Sequence, residues 1–299
     1  MAQRFARGKP PIVCHPFRLR RRGMDVSSFS IERNGRRRGV PLKDDSMRTL
    51  VALACALIAN LVVITRAIAD CGGEALGQGQ VAHVVDARTL RLADGREIRL
   101  TGIVSSPDAI TARDVLTTLA ANRDVVLRGD SDTPDRYGRQ NAFVVRAEDG
   151  TSVQAELLRV GAALTTGSAI DKDCAGELAA AEAVARQTRQ GVWAGPDAIK
   201  NAAKPGDILA KLGQFAVIEG KVLSARQSGA TFYLNFGRHW VRDFAVIIPR
   251  QMIGSLTRDG VDIKALAGRN VRVRGWIEQR GGPRVQLRGT RQIEILDRR

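Results

Sequence analysis

The stretch Val84-Val85-Asp86-Ala87-Arg88-Thr89-Leu90-Arg91-Leu92-Ala93-Asp94-Gly95-Arg96-Glu97-Ile98-Arg99-Leu100 decides the fold. Apolar and polar residues alternate through it, as in half-buried strands, and Asp94-Gly95 is a two-residue hairpin turn. Residues 79–86, 88–93 and 96–104 are therefore expected as three short strands. Asp108 to Ala121 carries Ile110, Val115 and Leu119 on one helical face, and residues 124–128 and 141–146 supply two more strands around a polar loop, 129–139. Thr151 with Gln154 has the spacing of a capping box for a helix through Val160, stopped by Gly161. Asp173 starts an alanine-rich helix that runs to Gln190. Five strands followed by two helices make a small barrel under a helical cover.

Asn201-Ala202-Ala203-Lys204-Pro205-Gly206 has the composition of a linker. Beyond it, residues 215–226, 231–236 and 243–248 are expected as strands, 250–257 as a helix, and 270–279, 283–287 and 292–296 as strands. Three strands, a helix and two strands is the order of an OB-type barrel. The expected class is mainly β with helices (α+β), two tandem OB-type five-stranded barrels spanning 70–199 and 200–299.

Charge is uneven along the 299 residues. Residues 1–46 hold 12 basic and 4 acidic side chains, residues 70–203 hold 15 and 19, and residues 204–299 hold 18 and 8. The middle is thus acidic and the last segment carries +10, suited to nucleic acid or another polyanion. Met47-Arg48 precedes a 15-residue apolar run, Leu50 to Ile64, then Ala67-Ile68-Ala69. That is the pattern of an export signal, and the run is shorter than the roughly 20 residues of a spanning helix. Two readings stand for 47–69: a signal cleaved after Ala69, giving an exported protein, or an anchor through residues 50–64, which is also the expected membrane contact. The basic leader 1–46 does not belong to an ordinary signal, so translation is expected to begin at Met47. After cleavage Cys71 and Cys174 remain as an even pair in an oxidising compartment and are expected to form a disulfide.

Chemistry is carried by arginines. Arg99 in Arg99-Leu100-Thr101-Gly102-Ile103 and Arg139 at the end of Asp135-Arg136-Tyr137-Gly138-Arg139 come from separate strands. Two guanidiniums brought to one place grip a phosphodiester bidentately. In the second half, strand alternation turns Val271, Val273 and Ile277 inward and leaves Arg272, Arg274 and Trp276 outward. That combination suits backbone contact and base stacking; Tyr233 and the loop Gly237-Arg238-His239-Trp240 are further candidates there. The histidines His15, His83 and His239 are scattered, so no metal-ligand cluster is expected from them.

The middle segment, Gln78 to Trp193, resembles the thermonuclease (micrococcal-nuclease-like) family. Its anchors are Val85-Asp86-Ala87-Arg88-Thr89-Leu90, the Arg99–Ile103 strand, the Asp135–Arg139 turn, Leu157-Leu158-Arg159-Val160-Gly161-Ala162, and Gly191-Val192-Trp193. The resemblance implies nuclease chemistry with Arg99 and Arg139 on the scissile phosphate and Asp135 and Tyr137 positioning substrate. It also implies calcium. The family's first turn has a second aspartate that binds it, and here that position is Arg88. The second acid is replaced by Val104 or Ser105, and Asp108, one residue further on, stands in for the water-activating glutamate. A guanidinium repels calcium, which wants six to eight oxygen ligands. Arg88 is instead expected to pair with phosphate. The function expected is an exported, thermonuclease-like binder of nucleic-acid phosphates with a degenerate calcium site and impaired or absent hydrolysis. The alternatives are an active nuclease using Asp108, Arg99 and Arg139, and a non-catalytic envelope scaffold.

Overall fold

The computed structural model describes residues 73–168 and 172–296, all within one compact unit, Thr65–Arg299. The leader, the segment 47–69 and Cys71 lie outside the described residues. No helix among the described residues is long and apolar enough to cross a membrane.

The first half runs β1 (Glu74–Asp86), β2 (Thr89–Leu92), β3 (Glu97–Leu100), β4 (Ile103–Ser105), α1 (Ala109–Ala120), β5 (Asp124–Gly129), β6 (Arg139–Arg146), α2 (Val153–Arg159), β7 (Ala163–Thr165) and α3 (Lys172–Thr188). Strands β1-β2-β3-β6-β5 close into a ring, antiparallel throughout except for the parallel pair β3 and β6. One long strand closes it: β1 pairs with β5 through its first part and β2 through its last, with register shifts between Ala75 and Gly77, Val81 and His83, and Val84 and Asp86. Such bulges bend and twist a strand. Leu90, Leu92, Ile98, Leu100, Val125 and Leu127 fill the interior, as alternation requires.

Two local expectations are corrected. The single strand 96–104 is two, because Gly102 takes φ +77° and turns β4 away to pair with β7. A side chain would be strained there, and a Cβ would sit 3.0 Å from Leu178 Cδ1. The cap of α2 is Ser152, whose side chain accepts from Ala155 N–H, not Thr151. Gln154 points inward instead, fully buried, where its oxygen accepts from Val144 N–H (3.1 Å) and its amide donates to Ala142 O (3.0 Å).

The second half contains β8 (Lys200–Asn201), α4 (Pro205–Leu209), β9 (Phe215–Lys221), β10 (Ser224–Ser228), β11 (Thr231–Asn235), β12 (Ala245–Ile248), α5 (Arg250–Arg258), β13 (Asn270–Trp276), β14 (Glu278–Arg280), β15 (Gly282–Gln286) and β16 (Ile293–Ile295). The pairs are β9 with β13, β10 with β11, β11 with β12, β12 parallel to β15, and β14 with β15. Taking β9–β10 and β13–β14 as two bent strands, this is the connection pattern of the first ring, again with a helix before the fourth strand. The bends, at Val222-Leu223 and Ile277, let one strand serve two sheets, so the strands form a five-stranded and a four-stranded sheet instead of one closed ring. The expected linker is not free. β8 pairs with β9, and Ala202 is buried with its N–H on Glu219 O at 2.8 Å. Leu164, Ala185, Trp193 and Val217 pack together between the halves.

Candidate functional site

Three guanidiniums meet on the outer rim of the first ring. Ile98 and Leu100 point inward, so Arg99, between them on β3, must point out. Its partner across the ladder is Thr89, whose hydroxyl accepts from Arg99 Nη1 at 3.2 Å. On the other side β6 runs parallel, with Arg99 opposite Asn141 and Glu97 opposite Arg139. Arg139 therefore emerges on the same face. Arg88 comes from the β1–β2 turn, beside Thr89, and its Nη1 donates to Ile103 O at 3.0 Å.

Two carboxylates serve these three cations. Asp86 accepts from Arg88 N–H (2.8 Å) and lies 3.8 Å from Arg99 Nη1. Asp135 is spent on its own turn: Oδ1 takes the N–H groups of Tyr137 (2.8 Å) and Arg139 (3.1 Å), and Oδ2 takes Arg139 Nε (3.1 Å) and Nη2 (2.8 Å). That grip holds the Asp135 carboxyl down at about 2 and raises the Arg139 guanidinium above its ordinary value. Asp135 thus aims Arg139. Gly138, at φ +78°, makes the tight turn, and the Arg139 guanidinium lies 4.8 Å from the Tyr137 ring centroid, a cation–π contact. Tyr137 itself stays largely exposed.

The three charges also act on one another. Burial, then the charge of Arg99, lower the Arg88 guanidinium below its ordinary value. Burial, then Arg139, do the same to Arg99. Asp86 is felt by all three. Each guanidinium has five N–H donors, and most of those on Arg88, Arg99 and Arg139 have no acceptor among the described residues. Asp86 and Thr89 are members of the site that sequence reading had not singled out, although both lie within the first family anchor and on the outward face of the strands.

Asp108 is placed differently. It is the N-cap of α1: Oδ1 accepts from Thr111 N–H at 3.1 Å and Oδ2 from Thr111 Oγ1 at 2.6 Å. These bonds lower its carboxyl below the ordinary value, which weakens it as a base. Toward calcium, which takes six to eight oxygens, the rim offers Asp86 Oδ2 beside the positive charge of Arg88. At the second expected ligand place Val104 has no side-chain oxygen and Ser105 has one uncharged hydroxyl, both half-buried on β4.

The expected interface on β13 is overturned. Arg272 and Arg274 are buried, because the outward face of β13 is covered. Arg272 binds Glu219 (Nε to Oε1, 2.7 Å) and Glu294 (Nη1 to Oε2, 2.7 Å). Arg274 reaches into the first half, donating to Glu182 Oε2 at 2.6 Å and to Thr165 O at 3.2 Å. Trp276 is partly exposed and meets Phe215 edge to face, centroids 5.9 Å apart. Cys174 is fully buried in α3.

The closed β ring thus presents Arg99 and Arg139 from two of its strands on one rim, with Arg139 at the end of the Asp-Arg-Tyr-Gly-Arg turn. Residues 98–195 match the family model described as staphylococcal nuclease homologue, so this part of the chain is a thermonuclease-family domain. The match covers Arg99, Asp108 and Arg139 and begins after Arg88. No curated protein matches the chain.

Proposed function

We propose that the rim of Arg88, Arg99 and Arg139 binds the phosphodiester backbone of nucleic acid without a divalent ion and without efficient hydrolysis. The observation that carries this reading is the meeting of three guanidiniums, with donors to spare, around Asp86, while the second rim carboxylate, Asp135, is held in its own turn. Arg99 and Arg139 take the phosphate oxygens bidentately. Arg88 supplies the positive charge that the family obtains from calcium. A phosphate held this way is bound and polarised, while Asp108, the expected base, has both oxygens engaged by Thr111. Export through the segment 47–69 and a Cys71–Cys174 disulfide complete the proposed picture, and mass mapping of the secreted chain without reductant tests both.

The test of the rim uses the full chain with short duplex and single-stranded DNA, with calcium or with chelator. Binding should persist in chelator, and cleavage should stay absent after calcium is added. Arg88→Asp takes the rim from three cations and two acids to two cations and three, a change from +1 to −1. Affinity should fall about 10- to 100-fold, the value of one charge-assisted hydrogen bond. The slope of log affinity against log salt for duplex should lose about 0.9. Calcium-dependent cutting by the unaltered chain, or unchanged affinity in the variant, would refute the reading.

A further inference from the structure

The second half offers an exposed aromatic that its core does not use. Trp240 is 75% and Val241 56% exposed, at the tip of the loop between β11 and β12. Adjacent exposed apolar side chains make a contact surface that folding does not use, and the loop carrying them is held in shape. His239 N–H donates to Asp243 Oδ2 at 2.7 Å, and the N–H groups of Arg242 and Asp243 both return to His239 O, at 2.9 and 2.8 Å. Its flank is buttressed by the β14–β15 turn. A Cβ on Gly281 would lie 2.4 Å from Val241 O, and one on Gly282 would lie 2.5 Å from Asp243 O. Only glycines permit that approach, so Arg280 is fixed beside the loop.

Charge identifies the occupant. Arg238 and Arg280 are exposed and have no ion-pair partner among the described residues. Arg242 is exposed too, with Nη2 3.1 Å from His239 Nδ1 and Nε 3.9 Å from Asp243 Oδ1. Residues 204–299 use 14 arginines and 4 lysines. Attraction to an anionic lipid surface needs only point charges, which lysine supplies as well, whereas planar guanidiniums also fork onto phosphates and stack. An aromatic face between guanidiniums is what an unpaired nucleic-acid strand requires.

We propose that the loop Arg238–Arg242 and the turn Arg280–Gly282 form a second contact for single-stranded nucleic acid, with Trp240 stacked on a base and Arg238, Arg242 and Arg280 on flanking phosphates. It replaces the β13 face as the binding surface of this half and stands independently of the Arg88–Arg99–Arg139 rim.

The test titrates the full chain with a labelled oligo-dT and, separately, with vesicles of phosphatidylcholine and phosphatidylserine. The oligonucleotide should bind and quench tryptophan emission. Trp240→Ala should bind about tenfold more weakly, and Trp240→Phe should keep most of the affinity while losing the quench. Arg238→Ser with Arg280→Ser should lower the salt slope by about 1.4, at roughly 0.7 per single-strand phosphate. The same effects should appear in an Arg99→Ala background, which separates this contact from the rim. Unchanged binding by Trp240→Ala, or vesicles eliciting the Trp240 response while the oligonucleotide does not, would overturn the proposal. Affinity lost in Arg99→Ala alone would overturn it too, while leaving the rim reading intact.

Discussion

Replacing Glu182 by alanine should be among the most damaging single changes in the described chain. Its carboxylate is buried on α3, with side-chain exposure of 1%, against 7% for Arg274. One oxygen holds the Arg274 guanidinium at 2.6 Å and the other accepts Thr165 N–H at 2.8 Å. Truncation leaves a positive charge in a nearly dry site, where breaking a buried pair costs about 3–5 kcal/mol. The orphaned amide contributes roughly 1 kcal/mol or more to such a loss. Against the 5–15 kcal/mol typical of a whole domain, that is about a third or more. Removing both partners is different. Glu182→Leu with Arg274→Met takes away both charges, so most of the loss should return, because the desolvation cost vanishes with the attraction. Urea unfolding followed by circular dichroism and by the buried Trp193 measures both variants. Since the pair bridges the two halves, the two probes should report one transition in the unaltered chain. A cost below about 1 kcal/mol for Glu182→Ala, or a double variant as unstable as the single one, would show that an unpaired Arg274 charge is not the source of the loss.

Two further outcomes follow from the geometry. The Asp135 carboxyl is depressed from 3.8 to about 2, so its hold on Arg139 is fully present above pH 3.8 and is lost as pH falls toward 2. The Tyr137 and Arg139 amide resonances should therefore titrate near 2, and Asp135→Asn should abolish that step; a midpoint near 4 would contradict the hydrogen-bonded turn. Gly161→Ala should cost about 4 kcal/mol or more by calorimetry or denaturant, because φ is +71° and the new Cβ would fall 2.2 Å from Gln190 O. A change under about 1 kcal/mol would mean that the backbone there yields easily.

That glycine shows what was legible in the sequence and what was not. Leu157–Ala162 and Gly191–Trp193 were recognisable as separate family anchors, but nothing in either shows that they are one contact. Gly161 O accepts Val192 N–H at 2.9 Å, and a Cβ on Gly191 would lie 2.3 Å from Gly161 O. Spacing along the chain reveals a local turn and is silent on which backbone lies against it. The same limit explains Ser152. Thr151 with Gln154 matches a capping pattern, yet Gln154 turns into the core to bond Val144 N–H and Ala142 O on β6, and the cap is Ser152.

Strand alternation carries the sharpest lesson, since one rule gave opposite results on two strands. It turned Arg99 outward on β3 and Arg272 and Arg274 outward on β13, and the parity was right each time. What differs is the supply of carboxylates. Arg272 is flanked by Glu219 and Glu294, and Arg274 meets Glu182, which is 92 residues away in sequence. Their charge is neutralised, so Arg272 ties neighbouring strands of one sheet together and Arg274 ties the two halves. Around Arg88, Arg99 and Arg139 there are two acids for three cations, one of them already consumed by its own turn. An outward arginine is thus a candidate for binding in proportion to the acids it lacks. By that criterion the thermonuclease-type rim and the Arg238–Arg280 cluster hold charge still available to phosphate, and the β13 stripe does not.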